Sequence, residues 1–333
     1  MLRTSAPKLL IGTECARDAV KSIDKASVRI ALVTTTFRAD DELSSNVIDA
    51  LCRASKRGVI VSVCADTYTY LEPRGFNFTS TKQYSARAYH ALKLERKLKS
   101  SGVSFHWLGR LSNFGFTGRT HSKWLVADDT VYCFGGVNFD GESFTHNDYL
   151  FRLNNSDFAD QLFAQHARTI KADKSGHAAR YCTIPLDKSS TALFDRGLIG
   201  NSIIYRRACE LAQAATDITL VSQYCPTGKL SRILHRKHAK LYFNHWQNTK
   251  GVNTAMIRFG MTLTHQHTLY KRDQYLHAKF ILFTMPDGSK AAITGSHNFM
   301  FGSVMFGTRE VALETTDAAI IAQLEKFFKQ HVE

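Results

Sequence analysis

Residues 119–150, RTHSKWLVADDTVYCFGGVNFDGESFTHNDYL, decide how this chain is interpreted. His121 and Lys123 stand two apart at the start of the apolar run WLVA, and side chains at positions i and i+2 of a strand share one face. The segment predicts a hairpin that turns at Asp128 and continues through VYCF. Such a hairpin returns Asn138 to the level of His121 and Lys123, and two glycines before Asn138 let the backbone approach closely.

An imidazole, an ammonium and an amide in one place suit a phosphoryl centre. A neutral imidazole can attack phosphorus, while Lys and Asn can donate to the non-bridging oxygens. One His-x-Lys pair says little in a chain with 14 histidines, but the same order recurs in residues 275–303, YLHAKFILFTMPDGSKAAITGSHNFMFGS. His277, Lys279, Ser296 and Asn298 repeat the pattern. Two copies at this spacing indicate a duplicated unit.

The two segments resemble the signature of the phospholipase D superfamily, HxKxxxxD followed by G-G/S-x-N. The first copy matches throughout, with Asp128 at the aspartate position and Gly136 before Val-Asn. The second copy departs from it, because Thr284 occupies the aspartate position. We expect Asp287, in the longer turn of that copy, to take over the turn role. The family aspartate is mainly structural, so this departure affects the turn more than the chemistry.

The resemblance implies a two-step displacement at a phosphodiester through a phosphohistidine. His121 is expected to be the nucleophile and His277 the general acid and base, and the reverse assignment stays open. No metal or other cofactor is expected, because two lysines would supply the positive charge. The residues implied to be catalytic are His121, His277, Lys123, Lys279 and the ring-orienting carboxylates Asp148 and Glu310. The residues implied to bind phosphate are Asn138, Asn298, Ser296 and Gly136, with Asp128 as a structural residue.

The composition indicates which kind of binding partner and which cellular compartment to expect. The formal charge of +14 over 333 residues favours a polyanion, either nucleic acid or an anionic phospholipid surface, with basicity for solubility alone as the plain alternative. Seven cysteines without a CxxC pair indicate reduced thiols. No apolar run reaches the length of a membrane span, and the first residues lack the apolar core of a signal peptide. A cytoplasmic protein, peripheral on a membrane or free, is expected.

The order of predicted elements supports two similar halves. A strand at 28–37, an amphipathic helix after Asp41 and a strand at 59–66 predict a parallel βαβ unit. Residues 203–243 repeat helix, strand, helix and strand. We therefore expect an α/β fold, a duplicated phospholipase D-like α/β/α sandwich with two halves packed around one shared active site. The predicted domains are 1–172 and 173–333, joined by a stretch of linker composition, DKSGHAARYCTIPLDKSS.

The substrate is less well determined by the sequence. Phosphatidyl transfer is the first hypothesis, because GGVNFDGESFTHNDYLFRL and SQYCPTG resemble segments of bacterial cardiolipin synthases. A nuclease, or another phosphodiesterase acting on nucleic acid, is the alternative that the basic charge favours, and an inactive binding protein is the third. The active unit is expected to be a monomer. Residues 67–89 and 111–118 are candidates for the entrance and lip of the site, with a plain surface loop as the alternative for 67–89.

Overall fold

Two mixed β-sheets are built from successive parts of the chain. The computed structural model describes residues 7–70, 86–109 and 118–333. The strands of the first sheet are β1 (Lys8–Ile11), β2 (Arg29–Thr34), β3 (Ile60–Asp66), β4 (Ser104–Leu108), β5 (Trp124–Ala127), β6 (Thr130–Cys133) and β7 (Tyr149–Asn154). Those of the second are β8 (Cys182–Pro185), β9 (Ser190–Arg196), β10 (Asp217–Val221), β11 (Lys240–Tyr242), β12 (Phe280–Thr284), β13 (Lys290–Gly295) and β14 (Arg309–Thr315).

The strand orders confirm the duplication. The first sheet runs β1-β7-β6-β5-β2-β3-β4, and the second, read from its other end, runs β8-β9-β14-β13-β12-β10-β11. Six strands of each order coincide when β9 is matched to β1, β14 to β7, and the motif hairpin β12–β13 to β5–β6, which leaves β4 and β8 without a counterpart. In both sheets the pair after the hairpin is parallel, β2 with β3 and β10 with β11. The α/β fold class is therefore confirmed.

Helices cover the sheets and connect their parallel strands. They are α1 (Gly12–Lys25), α2 (Glu42–Lys56), α3 (Ala86–Ser100), α4 (Gly141–Thr145), α5 (Ser156–Ser175), α6 (Ile203–Ala214), α7 (Gly228–Arg236), α8 (Val252–Thr264), α9 (Phe301–Met305) and α10 (Ala318–His331). The predicted helix α2 begins where Asp41 accepts from the amide of Ser44 at 2.7 Å. Its acidic first turn and basic last turn complement the helix dipole. The predicted βαβ unit is confirmed.

The aspartate of the first motif fixes the far end of its hairpin. Asp128, with φ of 50°, accepts from the amides of Ser27 at 2.8 Å and of Arg29 at 2.9 Å, which ties the hairpin to the start of β2. In the second copy the backbone carbonyl of Thr284 accepts from the amide of Thr216 at 2.8 Å. A backbone contact thus replaces the aspartate.

Asp287 takes over less of the aspartate's role than expected. It accepts from the amide of Ser289 at 2.9 Å, inside its own turn. It therefore stabilises that turn alone, and the link to the neighbouring strand falls to Thr284.

Two sequence interpretations need correction. The stretch interpreted as a linker contains β8, which pairs antiparallel with β9. Its polar residues had suggested a loop, but an edge strand has one open side and tolerates them. His121 and Lys123 also lie just before β5 rather than inside a strand. The boundary proposed between residues 172 and 173 falls in the last turn of α5 and stays a prediction.

The halves meet through a common core and two short backbone bridges. One cluster of buried side chains contains Phe134 and Tyr149 from the first half and Phe280 and Phe327 from the second. The bridges pair Thr120 with Arg309 and Asn147 with Leu276. Each bridge joins the segment before one motif histidine to the segment before the carboxylate of the opposite half. No helix in the described ranges is long and apolar enough to cross a membrane.

Candidate active site

Each motif histidine contacts a carboxylate supplied by the opposite half. Nδ1 of His121 lies 3.2 Å from Oε2 of Glu310, and Nδ1 of His277 lies 2.6 Å from Oδ2 of Asp148. The backbone bridges explain this crossing, because they place each histidine segment beside the partner strand. Neither half alone contains a complete histidine–carboxylate pair, so the arrangement forms one site from both motifs.

The hydrogen bonds of His121 determine its tautomer. Its Nδ1 also lies 3.0 Å from the carbonyl oxygen of Ser296. A carbonyl can only accept, so Nδ1 carries the hydrogen and Nε2 keeps its lone pair in the neutral ring. Burial lowers the pKa of His121 against the opposing effect of Glu310, and Lys123 lowers it further. The neutral ring with a free Nε2 is the form that can attack phosphorus.

The pKa values of the two carboxylates are shifted in opposite directions. Burial alone would raise the pKa of Glu310, but the neighbouring His121 and Lys123 bring it down to about 2. Burial raises the pKa of Asp148 to about 6, although Lys279 and the amides of Tyr149 and Gly136 stabilise its charge. Glu310 is therefore ionised at neutral pH, whereas Asp148 takes up a proton at about pH 6. Burial, together with the positive charge of Lys279, lowers the pKa of His277 well below its ordinary value.

Both motif lysines are fully buried and point back onto their own histidines. Nζ of Lys123 donates to the carbonyl of His121 at 2.6 Å, and Nζ of Lys279 donates to the carbonyl of His277. Burial, together with repulsion from Lys279, lowers the pKa of Lys123 to about 7. Burial lowers the pKa of Lys279 to about 8, although Asp148 and Glu310 oppose it. A bound anion would therefore raise the pKa of both lysines and favour their charged form.

Gly136 lies where the two halves come into contact. A Cβ at this position would lie 2.5 Å from Oδ2 of Asp148 and 2.9 Å from Nζ of Lys279. The position therefore has no room for a side chain. Its amide, predicted to bind phosphate, donates here to Oδ1 of Asp148 at 3.1 Å. Gly136 thus holds the carboxylate that contacts His277.

The other predicted phosphate-binding residues differ in their surroundings. Oδ1 of Asn138 accepts from the amides of Thr35 at 3.2 Å and Thr36 at 3.4 Å. Oδ1 of the buried Asn298 has no hydrogen-bond partner among the described residues. The fully buried Ser296 donates its hydroxyl to Glu310, so its hydroxyl holds that carboxylate in place.

The structure adds residues that the sequence analysis missed. Buried Asp66, at the end of β3, accepts from the amide of Thr120 at 2.8 Å and pairs with Arg119 at 3.1 Å, which fixes the segment leading to His121. Its position at the carboxyl end of a parallel strand, where sites of α/β folds form, was the available signal.

Two aromatic rings beside His277 were also missed. The ring of Tyr275 stacks on His277 with centroids 6.4 Å apart, and the ring of His146 lies 5.7 Å from that of His277. Both residues flank motif residues in the sequence, but nothing in the pattern distinguished them. Residues 71–85 of the predicted entrance loop and 111–117 of the predicted lip lie outside the described residues.

No group of three or more His, Cys, Asp or Glu side chains within 7–70, 86–109 and 118–333 could hold a metal ion. Two histidine–carboxylate pairs and two buried lysines meet at the site. This set can transfer protons and stabilise negative charge at a phosphoryl group.

Comparisons with known proteins found one matching domain family and similar folds. Residues 19–170 match the family model described as "Cardiolipin synthase, PLD-like domain". The fold is similar to that of phosphatidylserine synthase from Haemophilus influenzae Rd KW20, with TM-score 0.72 and 14% identity over 98% of this chain and 87% of that one. It is also similar to polyphosphate kinase from Porphyromonas gingivalis, with TM-score 0.61 and 13% identity over 96% of this chain and 49% of that one.

A search of curated proteins by sequence gave no match. At the low identities of the two structures, the likeness shows the fold alone. Residues 19–170 therefore match the family of phospholipase D-like domains, and the second copy of the motif extends that resemblance to the other half of the chain.

Proposed function

We propose that this protein transfers a phosphatidyl group of a phospholipid through a covalent phosphohistidine. The observation that carries the proposal is the crossed pairing of His121 with Glu310 and of His277 with Asp148, beside two buried lysines. A phosphodiester reaction by this route needs a nucleophile, an acid that becomes a base, and positive charge at the phosphoryl oxygens. The site supplies one group or pair for each task.

In the first step Nε2 of His121 attacks phosphorus and the bond from phosphorus to the leaving alcohol breaks. The leaving oxygen takes a proton from His277, which is paired with Asp148. Burial raises the pKa of Asp148 to about 6 and lowers that of His277 well below its ordinary value, so the pair by itself carries little proton at neutral pH. The negative charge of the bound phosphodiester opposes the shift of His277 and favours the imidazolium that donates the proton. The ionised Glu310 stabilises the positive charge that develops on His121 during attack.

In the second step His277 removes a proton from an acceptor alcohol or water. The acceptor oxygen attacks phosphorus, the phosphorus–nitrogen bond breaks, and the lone pair returns to Nε2 of His121. Lys123 and Lys279 stabilise the phosphoryl oxygens in both steps. General acid–base catalysis of this kind contributes about 10²–10⁴-fold to the rate.

A lipid substrate has support in the comparisons. The matched family model is described for cardiolipin synthase, and one similar structure is that of a phosphatidylserine synthase. The alternative, a nucleic-acid phosphodiesterase, has support in the net charge of +14. An inactive binding protein is disfavoured because both His, Lys and Asn sets are intact.

The test offers the purified protein either phosphatidylglycerol with glycerol as acceptor or single-stranded DNA, and analyses the products by mass spectrometry. The matched control is His121→Asn, which removes the nucleophile. We expect new phospholipid or phosphatidic acid from the unmodified protein only. Cleavage of DNA with unchanged lipid, lost in His121→Asn, would show a nuclease instead. No product from either substrate would favour the inactive binding protein.

A further inference from the structure

The outward face of α8 is apolar. Met256, Phe259 and Leu263 follow one another at helical spacing, and their exposed fractions are 37%, 67% and 60%. The inner face is held by Ile257 and by Gly260, where a Cβ would lie 3.1 Å from Cys225. A surface helix ordinarily turns its apolar stripe toward the core. Here large apolar side chains lie on the solvent side.

This face lies close to the candidate active site. Nδ2 of Asn253, in the first turn of α8, donates to the hydroxyl of Tyr275 at 3.1 Å, and the ring of Tyr275 stacks on His277. The helix α9 adds two more exposed apolar residues, Phe301 at 42% and Met305 at 50%.

Both helices contact the loop between β10 and α7. The amide of Phe301 donates to Oγ1 of Thr227 at 2.9 Å, and Gly228 packs against the Phe301 side chain. The same loop contains Cys225, against which α8 packs. The exposed apolar residues of α8 and α9 thus flank one loop on the side of the molecule that holds His277.

The segment that contains α7 and α8 carries charge of a single sign. Residues 218–272 contain nine Lys and Arg and no Asp or Glu. Arg258 lies on α8 itself, over the ring of Trp246 at 5.3 Å, and Lys229 and Arg232 are exposed on α7. Basic residues near an anionic surface strengthen attachment, and apolar side chains between them add a transfer free energy.

We infer that α8 and α9 form a docking surface for an anionic phospholipid bilayer, with Met256, Phe259 and Leu263 entering the headgroup region. A nucleic acid would satisfy the positive charge but not the exposed Met, Phe and Leu side chains, so lipid is the occupant that both observations favour. The inference deepens the proposed function, because docking through α8 places His277 and its neighbours near the membrane surface. It rests on that proposal only for the nature of the substrate.

The test uses full-length protein and vesicles of phosphatidylcholine, with or without phosphatidylglycerol, in a flotation assay. The variant is the double substitution Phe259→Ser and Leu263→Ser. We expect it to bind the anionic vesicles roughly tenfold more weakly or worse, because two large apolar side chains leave the interface. The matched control is Val28→Ser with Ile60→Ser, two equally exposed residues at 61% and 62% that lie side by side at the amino-terminal ends of the parallel strands β2 and β3. This control should bind like the unmodified protein.

Hydrolysis of the soluble diester bis(p-nitrophenyl) phosphate separates docking from catalysis. The α8 variant should retain it, which also shows that the variant is folded. Equal vesicle binding by the α8 variant and the control would overturn the docking surface and leave the proposed function intact. Binding of single-stranded DNA with no vesicle binding would overturn it in favour of nucleic acid. Vesicle binding that depends on α8, with no turnover of any phosphodiester, would support docking and contradict the proposed function.

Discussion

Replacing Lys123 with Met should stabilise the fold and abolish the activity, and the stabilisation should depend on pH. Burial lowers the pKa of Lys123 from its ordinary 10.5 to about 7, so the folded state disfavours the ammonium. The resulting penalty is present at pH values below the folded pKa and disappears as pH rises through 10.5. At about 1.4 kcal/mol per pH unit, it comes to roughly 5 kcal/mol at about pH 6 and roughly 2 kcal/mol at about pH 9.

The substitution also has a cost, because the carbonyl of His121 loses its donor at 2.6 Å. An unsatisfied buried carbonyl costs about 1–3 kcal/mol at any pH. Lys123→Met should therefore be more stable than the unmodified protein by roughly 2–4 kcal/mol at about pH 6 and nearly equal to it at about pH 9. The change of roughly 3 kcal/mol between the two pH values does not depend on the hydrogen bond.

The assay is urea unfolding followed by tryptophan fluorescence at both pH values. The control is Lys290→Met, at a side chain that is 51% exposed and paired with Glu325. The control should shift the free energy of unfolding by less than about 1 kcal/mol at either pH. If the free energy of unfolding of Lys123→Met differed from that of the unmodified protein by the same amount at both pH values, the lowered pKa of Lys123 would be refuted.

Three further predictions concern the reaction. The value of kcat/KM should fall as pH rises past about 7 to 8, because Lys123 and Lys279 lose their protons there, and a flat basic limb in a soluble-diester assay would contradict this. Turnover should survive EDTA because the lysines supply the positive charge, and loss of turnover that magnesium or zinc restores would show a metal requirement. Gly136→Ala should lower kcat about a hundredfold, because the new Cβ displaces Asp148 and Lys279. The control Gly302→Ala should keep its kcat, because its Cβ would meet nothing closer than 3.9 Å. Equal kinetics of the two variants would contradict that reasoning.

The sequence determined the fold class and the convergence of the two motifs. His121 and His277 were recognised because hairpin, glycines and asparagine recur at one spacing, and that spacing fixes which residues a hairpin brings together. The helix α2 was predictable because Asp41 caps it and basic residues end it. In each case the signal is local to the residues that form the structure.

The crossed contacts could not be predicted in this way. Which carboxylate meets which histidine depends on how the sheets pack, and no local pattern encodes the bridge from Thr120 to Arg309. The role of Ser296 was hidden for the same reason, because its hydroxyl partner, Glu310, is set by the pairing of β13 with β14. The strand β8 was missed because a polar edge strand has the composition of a loop.

The central claim, that His121 attacks phosphorus and His277 serves as acid and base, is tested most directly by trapping the covalent intermediate. His277→Ala is mixed with bis(p-nitrophenyl) phosphate, whose leaving group needs little help from an acid, and the reaction is quenched in alkali. Intact mass and peptide mapping should then show, on the peptide carrying THSKW (residues 120–124), an acid-labile phosphohistidine that still carries one p-nitrophenyl group. His121→Asn should give no adduct. An adduct on the peptide carrying YLHAK, residues 275–279, would reverse the two roles, and no adduct on either variant would contradict a covalent mechanism.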